Sequence, residues 1–461
     1  MKHRIKFFLI LWLLVCSVAV GKGSEKGTGL TIYNDNFAVV KESRNIEFKK
    51  GVNRIEFTDV ASAIDPTSVN FKCISAPGAV TILEQNYEYD LVNSQSLLKR
   101  YLDKDVTVFL KGSGADTGSE ITGKLLASVG NDLILKSKGG GIEIVSKNMV
   151  ERISLTQLTG DLVTRPTLIW LADAKEKGSQ LCRVTYTTGR INWKADYSAV
   201  LNDDENKLDF SGWVTIDNKS GATYSDADVK LIAGDVRRAV PARRGGRLES
   251  LGYAAAPAKA FEEKAFGEYH MYTLGRKSTI NNNQVKQIEF ITPAMGVPAR
   301  KVYVYERSQQ ADKVQVRIEF NNKKDVGLGI ALPMGKVRVF KKDPADGGLE
   351  FLGEDRIDHT PAREKLKLYI GNAFDIVPEH TLVDSNVGKR RRTETHKIEL
   401  RNRKSKAVVI NVDEKFPSWV NWVITDASQK FVKHDANTAR FKVRLKGDSV
   451  TVLRYTVNQT W

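Results

Sequence analysis

The chain has 461 residues, 41% hydrophobic and 27% charged, so most of it can bury a core and a wholly disordered chain is excluded. Lysine and arginine number 71 against 55 acidic residues, a formal charge of +16, and three cysteines are too few for a disulfide-built scaffold. A single long apolar run excludes a protein of many membrane spans.

That run opens the chain. Lys2, Arg4 and Lys6 precede an apolar stretch from Phe7 to Val20, and small residues follow. This is the order of a secretory signal peptide, expected over 1–21 with cleavage after Gly21 and Ala19 as the second position. The stretch is short for a spanning helix of about 20 residues, so the processed chain is expected to carry no transmembrane helix. A lipoprotein anchored at Cys16 is disfavoured, because Val15 stands where a small residue is wanted. Loss of the three leader cations lowers the formal charge from +16 to +13. An exported chain of this charge, in the periplasm or cell envelope or secreted, meets acidic polysaccharide, lipopolysaccharide, anionic lipid or envelope proteins rather than nucleic acid. Cys73 and Cys182 remain after cleavage. An oxidising compartment allows them to pair, but their spacing is equally compatible with two buried thiols.

From Leu30 the sequence reads as strands. LTIYNDNFAVVKESRNIEF, GVNRIEFTDV and SVNFKCISAPGAVTILEQNYEY are rich in β-branched and aromatic residues broken by Gly, Pro, Asn and Asp, which predicts a small β domain at 24–90. SQSLLKRYLDK is the one helical word, with Ser96 as cap and Leu97, Leu98, Tyr101 and Leu102 at helical spacing. Residues 104–157 hold five short strands separated by Gly-rich turns, the pattern of a small SH3-like or Sm-like barrel. From Thr167 the strands lengthen into a central β-sandwich domain over 160–380, interrupted at 238–270 by an Ala, Gly, Arg and Pro-rich stretch that predicts a mobile insertion. Residues 381–461 have the strand spacing and size of an immunoglobulin-like sandwich. The closing YTVNQTW reads as an ordinary strand end, since both faces of the other strands carry too many charges for a lipid-facing wall. The fold class is therefore all-β, a multi-domain chain of antiparallel β-sandwiches with a small barrel near its N-terminal third.

Several words, TRPTLIWL, TYTTGRINWKADYSAVLN, WVTIDNKSGATYSDADVKLIAGDV, LPMGKVRVFKKD, FLGEDRIDHTP and GNAFDIVPEH, in this order, resemble the bacterial family called domain of unknown function 4139, related to mucoidy-inhibitor proteins. The likeness covers most of 150–461. It implies a secreted or envelope-associated all-β protein without an assigned activity. The coiled coil that mucoidy-inhibitor relatives often carry before this module has no counterpart here, and the small barrel stands in its place.

The common catalytic templates are absent: no G-x-S-x-G, no H-E-x-x-H, no phosphate-binding loop, no dinucleotide fingerprint after a strand and no C-x-x-C. No cofactor or metal is implied. After the leader, the histidines are His270, His359, His380, His396 and His434. One dense polar cluster is split between two words, with Glu354, Asp355, Asp358 and His359 in the first and Asp375, Glu379 and His380 in the second. Two such carboxylates facing each other across a cleft would suit glycoside hydrolysis, and a His beside a carboxylate would suit a divalent metal. The bland reading is a turn between strands, neutralised by Arg356. Trp193, Tyr197 and Trp213 suit either sugar stacking or a sandwich core, with core favoured.

Two basic clusters are candidate anion sites. Arg237, Arg238, Arg243, Arg244 and Arg247 open the insertion, and Lys389, Arg390, Arg391 and Arg392 begin a run continuing through Lys397, Arg401, Arg403, Lys404 and Lys406. Guanidinium groups match sulfate, phosphate and uronate oxygens in pairs. The expected function is thus that of a non-enzymatic envelope protein binding anionic polymers or protein partners, with a carbohydrate hydrolase as the alternative.

Overall fold

The computed structural model describes residues 27–88, 94–111, 119–155, 165–234, 236, 261–310 and 312–461. It is nearly all strand, as the sequence predicts. Most pairings are antiparallel, but Gly27–Tyr33 with Tyr224–Ala233, Ile191–Leu201 with Gly335–Lys342, and the end of Gln284–Tyr305 with Val408–Lys415 are parallel. No helix among the described residues is long and apolar enough to cross a membrane.

The strands of the 24–90 segment share their sheets with strands from beyond the small barrel. Phe37–Phe48 lies between Gly27–Tyr33 and Gly178–Gly189. Gly51–Thr58 and Val80–Glu88 flank Thr167–Ala174 in a second sheet. Leu30, Ile32, Val40, Phe57, Trp170 and Tyr186 point into one apolar core between them. The alternation of buried and exposed residues along Gly178–Gly189 and Ile191–Leu201 is what a half-buried strand requires.

The last part of the insertion expected over 238–270 is paired strand rather than a mobile stretch. Phe261–Phe266 and Tyr269–Leu274 form a hairpin that extends the first sheet beside Tyr224–Ala233, burying Phe261, Met271 and Tyr272. FEEKAF has weak β-propensity, and the pairing with an existing sheet edge overrides it. The rest of the expected insertion, 238–260, lies outside the described residues.

The core continues into a ring of seven strands. In order around the ring they are Ile191–Leu201, Lys207–Asn218, Gln284–Tyr305, Gln315–Asn321, Lys365–Asn372, Leu349–Ile357 and Gly335–Lys342, which returns to the first. Six of the seven junctions are hydrogen-bonded ladders. The seventh, between Leu349–Ile357 and Lys365–Asn372, brings the strands side by side without a ladder. Gln284–Tyr305 bends around the ring, with register shifts opposite the stretch that holds Pro293, Gly296 and Pro298. Proline lacks the N–H a regular ladder needs, and Gly296 takes a φ of 66° that favours glycine.

Two further cores stand apart from this one. The five-stranded sheet of Asp105–Leu110, Glu120–Val129, Asp132–Ser137, Ile142–Ser146 and Val150–Leu155 wraps around Val106, Val108, Leu125, Leu133 and Leu135. The helix Ser94–Arg100 and the turn after it add Leu98 and Tyr101 to that core. The C-terminal sandwich packs Ile376–Val387, Arg391–Asn402, Asn421–Ala427 and Ser449–Thr460 over Val408–Lys415, Phe431–Asp435 and Thr438–Leu445. Ile398, Leu400, Phe441, Tyr455 and Val457 fill the space between the sheets.

Candidate functional site

The open junction of the ring creates the site. Adjacent residues of a strand point to opposite faces, so Glu354 and Asp355 part company. Glu354 is exposed, with Lys336 at 2.7 Å and Arg338 at 3.6 Å. Its hydrogen bond to Lys336, with Arg338 and Arg356 nearby, holds its carboxyl below the usual range. Asp355 turns towards the junction. Its Oδ2 accepts the Tyr369 N–H at 2.7 Å and its Oδ1 accepts the Arg356 N–H at 2.8 Å. The carboxylate thus supplies the acceptor that a ladder carbonyl would otherwise give to Tyr369. The approach needs glycine two residues earlier, where a Cβ on Gly353 would fall 2.2 Å from the Ile370 carbonyl oxygen.

A cavity of about 440 Å³ opens over this seam. Lys367 and Tyr369 line it from one strand, Gln315 and Arg317 from the neighbouring strand, Gln309 and Gln310 from the preceding loop, and Asp355 from below. Gln315 and Arg317 alternate with Val316 and Ile318, so they share the strand face opposite Ile318, which enters the core, and Gln315 is itself buried there. The Gln315 Oε1 accepts from Arg317 Nε at 3.0 Å and Nη2 at 2.6 Å, and its Nε2 donates to Gln309 at 3.0 Å. The amide thereby fixes the guanidinium plane, and the buried Glu306 pairs with its Nη2 at 3.9 Å.

Lys367 has a cross-strand neighbour, Glu319, but no ion pair to it. Glu319 is engaged by Arg300 at 2.8 Å and Lys365 at 3.4 Å. Burial alone would raise its carboxyl, yet these two cations hold it below the usual carboxylate range. Gln310 Oε1 is buried with no hydrogen-bond partner among the described residues. The cavity therefore offers one oriented guanidinium, one ammonium with no ion pair among the described residues, a phenol and amide groups. The single carboxylate in its wall is already engaged by two backbone N–H groups.

The other groups of the sequence cluster lie outside the cavity wall, and most of them are engaged elsewhere. Asp375 lies 3.8 Å from Lys404, and Glu379 lies 2.7 Å from Arg401. His359 Nδ1 accepts the Met334 N–H, and Asp358 contributes its carbonyl to Thr360. His380 meets His396 at 2.9 Å. Only Asp355 of this group lines the cavity. Among the described residues no three His, Cys, Asp or Glu side chains gather as a metal site would require.

Trp193 and Tyr197 are core residues: the indole N–H donates to the Ile232 carbonyl, and the Tyr197 hydroxyl to that of Pro333. Trp213 faces outward. Cys73 and Cys182 stand directly opposite each other on paired strands as buried free thiols. Burial, with Cys73 beside it, pushes the Cys182 thiol up to about 12.

Arg237, Arg238, Arg243, Arg244 and Arg247 lie outside the described residues. The second basic run divides into two parts. Arg392 pairs with Glu394 at 2.6 Å, Lys397 with Glu399 at 3.4 Å, Arg401 with Glu379 at 2.7 Å and Arg403 with Asp448 at 3.6 Å. Lys389, Arg390 and Arg391, at the tip of the hairpin, make no ion pair among the described residues.

The cavity residues Gln309, Gln310, Gln315, Arg317, Lys367 and Tyr369 escape the motif search because no short word contains them. The only signal is the polar alternation in QVRIEF and KLKLYI. No family model matches this sequence, and no curated protein does.

Proposed function

We propose that this chain is an exported, non-catalytic binding protein of the cell envelope, and that the seam cavity seats an acidic unit of an envelope polymer such as a polyuronate or lipopolysaccharide. The leader-like N-terminus, the net positive charge and the likeness to the domain of unknown function 4139 family support the compartment. The cavity supports the ligand class. Its key observation is Lys367, an ammonium with no ion pair among the described residues, in one cavity wall with an Arg317 whose plane is set by Gln315. A uronate carboxylate pairs with the guanidinium through two parallel hydrogen bonds, the ammonium supplies a third, and the amides and Tyr369 serve the sugar hydroxyls.

Calorimetric titration tests this with an oligouronate and a neutral oligosaccharide of equal length. The oligouronate is expected to bind saturably at low salt and the neutral sugar not at all. Lys367→Ala should weaken the oligouronate about tenfold or more, the worth of one charge-assisted hydrogen bond. Equal binding of both sugars, or none of either, would overturn the assignment.

A further inference from the structure

One end of the C-terminal sandwich collects two kinds of group that are seldom exposed together. The hairpin joining Ile376–Val387 to Arg391–Asn402 carries Lys389, Arg390 and Arg391. The ladder sets Arg391 against Thr460, and Asn421 against Thr460 from the other side. The Arg390 carbonyl accepts the Trp461 N–H at 3.2 Å. Trp461 in turn meets Trp419 edge to face, with ring centroids 5.9 Å apart. Trp419 is 66% exposed, Trp461 44% and Val387, at the hairpin's base, 64%. Three cations thus lie beside an exposed apolar cluster at one tip.

From this juxtaposition we propose that the tip seats on an anionic lipid surface, with the indoles at the headgroup level and the three cations on lipid phosphates. The charge pattern favours lipid over a soluble acidic chain. Further along the same basic run Arg392, Lys397, Arg401 and Arg403 pair with carboxylates, and Lys406 lies past the other end of Arg391–Asn402, so at this end the three cations without an ion pair among the described residues are concentrated beside the apolar side chains. A polyanion strand would be served by cations spread along the sheet. A membrane needs them concentrated around a small apolar tip. Indole rings partition to the membrane interface, and lysine and arginine close to it are drawn to anionic headgroups. This inference stands on residues separate from the seam cavity and does not depend on it.

The test uses the chain as the cell delivers it, with vesicles of phosphatidylglycerol and phosphatidylcholine against vesicles of phosphatidylcholine alone. Co-sedimentation is expected with the anionic vesicles and is expected to fade as salt is raised. Each cation contributes about a fivefold effect, so the triple change of Lys389, Arg390 and Arg391 to Gln should reduce binding roughly a hundredfold. Trp419→Ser with Trp461→Ser should abolish the quenching of tryptophan fluorescence by brominated lipid. Unchanged thermal unfolding of both variants keeps the comparison clean. Binding that survives both variants, equal binding to neutral vesicles, or binding of soluble polyuronate by these cations with no vesicle binding would overturn the proposal. Lys367→Ala should leave vesicle binding unchanged, which separates this result from the outcome at the cavity.

Discussion

Replacing Trp170 with alanine is expected to cost about 3–5 kcal/mol and to loosen the segments 27–88 and 165–234 together. Trp170 is fully buried in Thr167–Ala174, the middle strand of a three-stranded sheet. Its ring lies 5.4 Å from those of Phe57 and Phe71, and its indole N–H donates to Gln85 at 2.9 Å. All three partners come from before the small barrel, so one side chain joins stretches separated by a whole module. Alanine would leave a cavity, while the exposed Gln85 could turn its oxygen to water. Urea unfolding with limited proteolysis reads the result. New cleavage should appear in 27–88 and 165–189 at the same denaturant concentration, while 105–155, with its own core, stays protected. Cleavage confined to 27–88 with less than about 1 kcal/mol lost would mean that the N-terminal strands form a unit of their own.

Mild acid should destabilise the C-terminal sandwich through His396. The ring is 4% exposed, and its Nδ1 lies 2.9 Å from His380 Nε2. Burial, then the cations Arg307, His380 and Arg392, push His396 down to about 4. Burial and Arg307 lower His380 as well. Glu394 lies 3.6 Å from His396 Nε2, but it is engaged by Arg392 at 2.6 Å and Gln459 at 3.3 Å. A buried histidine with a lowered pKa stabilises the fold above its unfolded value of about 6.5, and that contribution disappears as pH falls from there towards 4. The full effect is about 3 kcal/mol. Glu414 acts in the opposite direction. Burial raises its carboxyl despite Arg307 at 3.4 Å, so protonation relieves a cost as pH falls. His396→Gln separates the two. Stability of the natural chain should drop by about 2 kcal/mol between pH 7 and pH 5, and most of that slope should be missing in the variant. Parallel profiles would show that His396 does not set the acid response.

The strands are legible wherever one face is buried and the other is not, as in INWKADY, where Ile191, Trp193, Ala195 and Tyr197 alternate with Asn192, Lys194 and Asp196. Their partners were not. Gly27–Tyr33 pairs with Tyr224–Ala233, and no local pattern encodes a contact so distant along the chain. The hairpin at 261–274 was hidden for a related reason, since FEEKAF becomes a strand only beside an existing edge. At the site, Asp355 was visible as a carboxylate. Its role was not, because that role is set by Tyr369 arriving on a strand that lacks a ladder partner there. The basic run from Lys389 was equally visible, but only ion-pair geometry separates its neutralised part from the three cations at the tip.

The central claim, that the protein holds an acidic polymer without cleaving it, is tested most directly by incubating the purified chain with a polyuronate and following both by size-exclusion chromatography. The account predicts that polymer and protein elute together at low salt and that polymer length is unchanged after prolonged incubation. Shortened polymer that requires an intact Asp355, with Asp355→Asn folded and inactive, would contradict it, as would polymer that never travels with the protein.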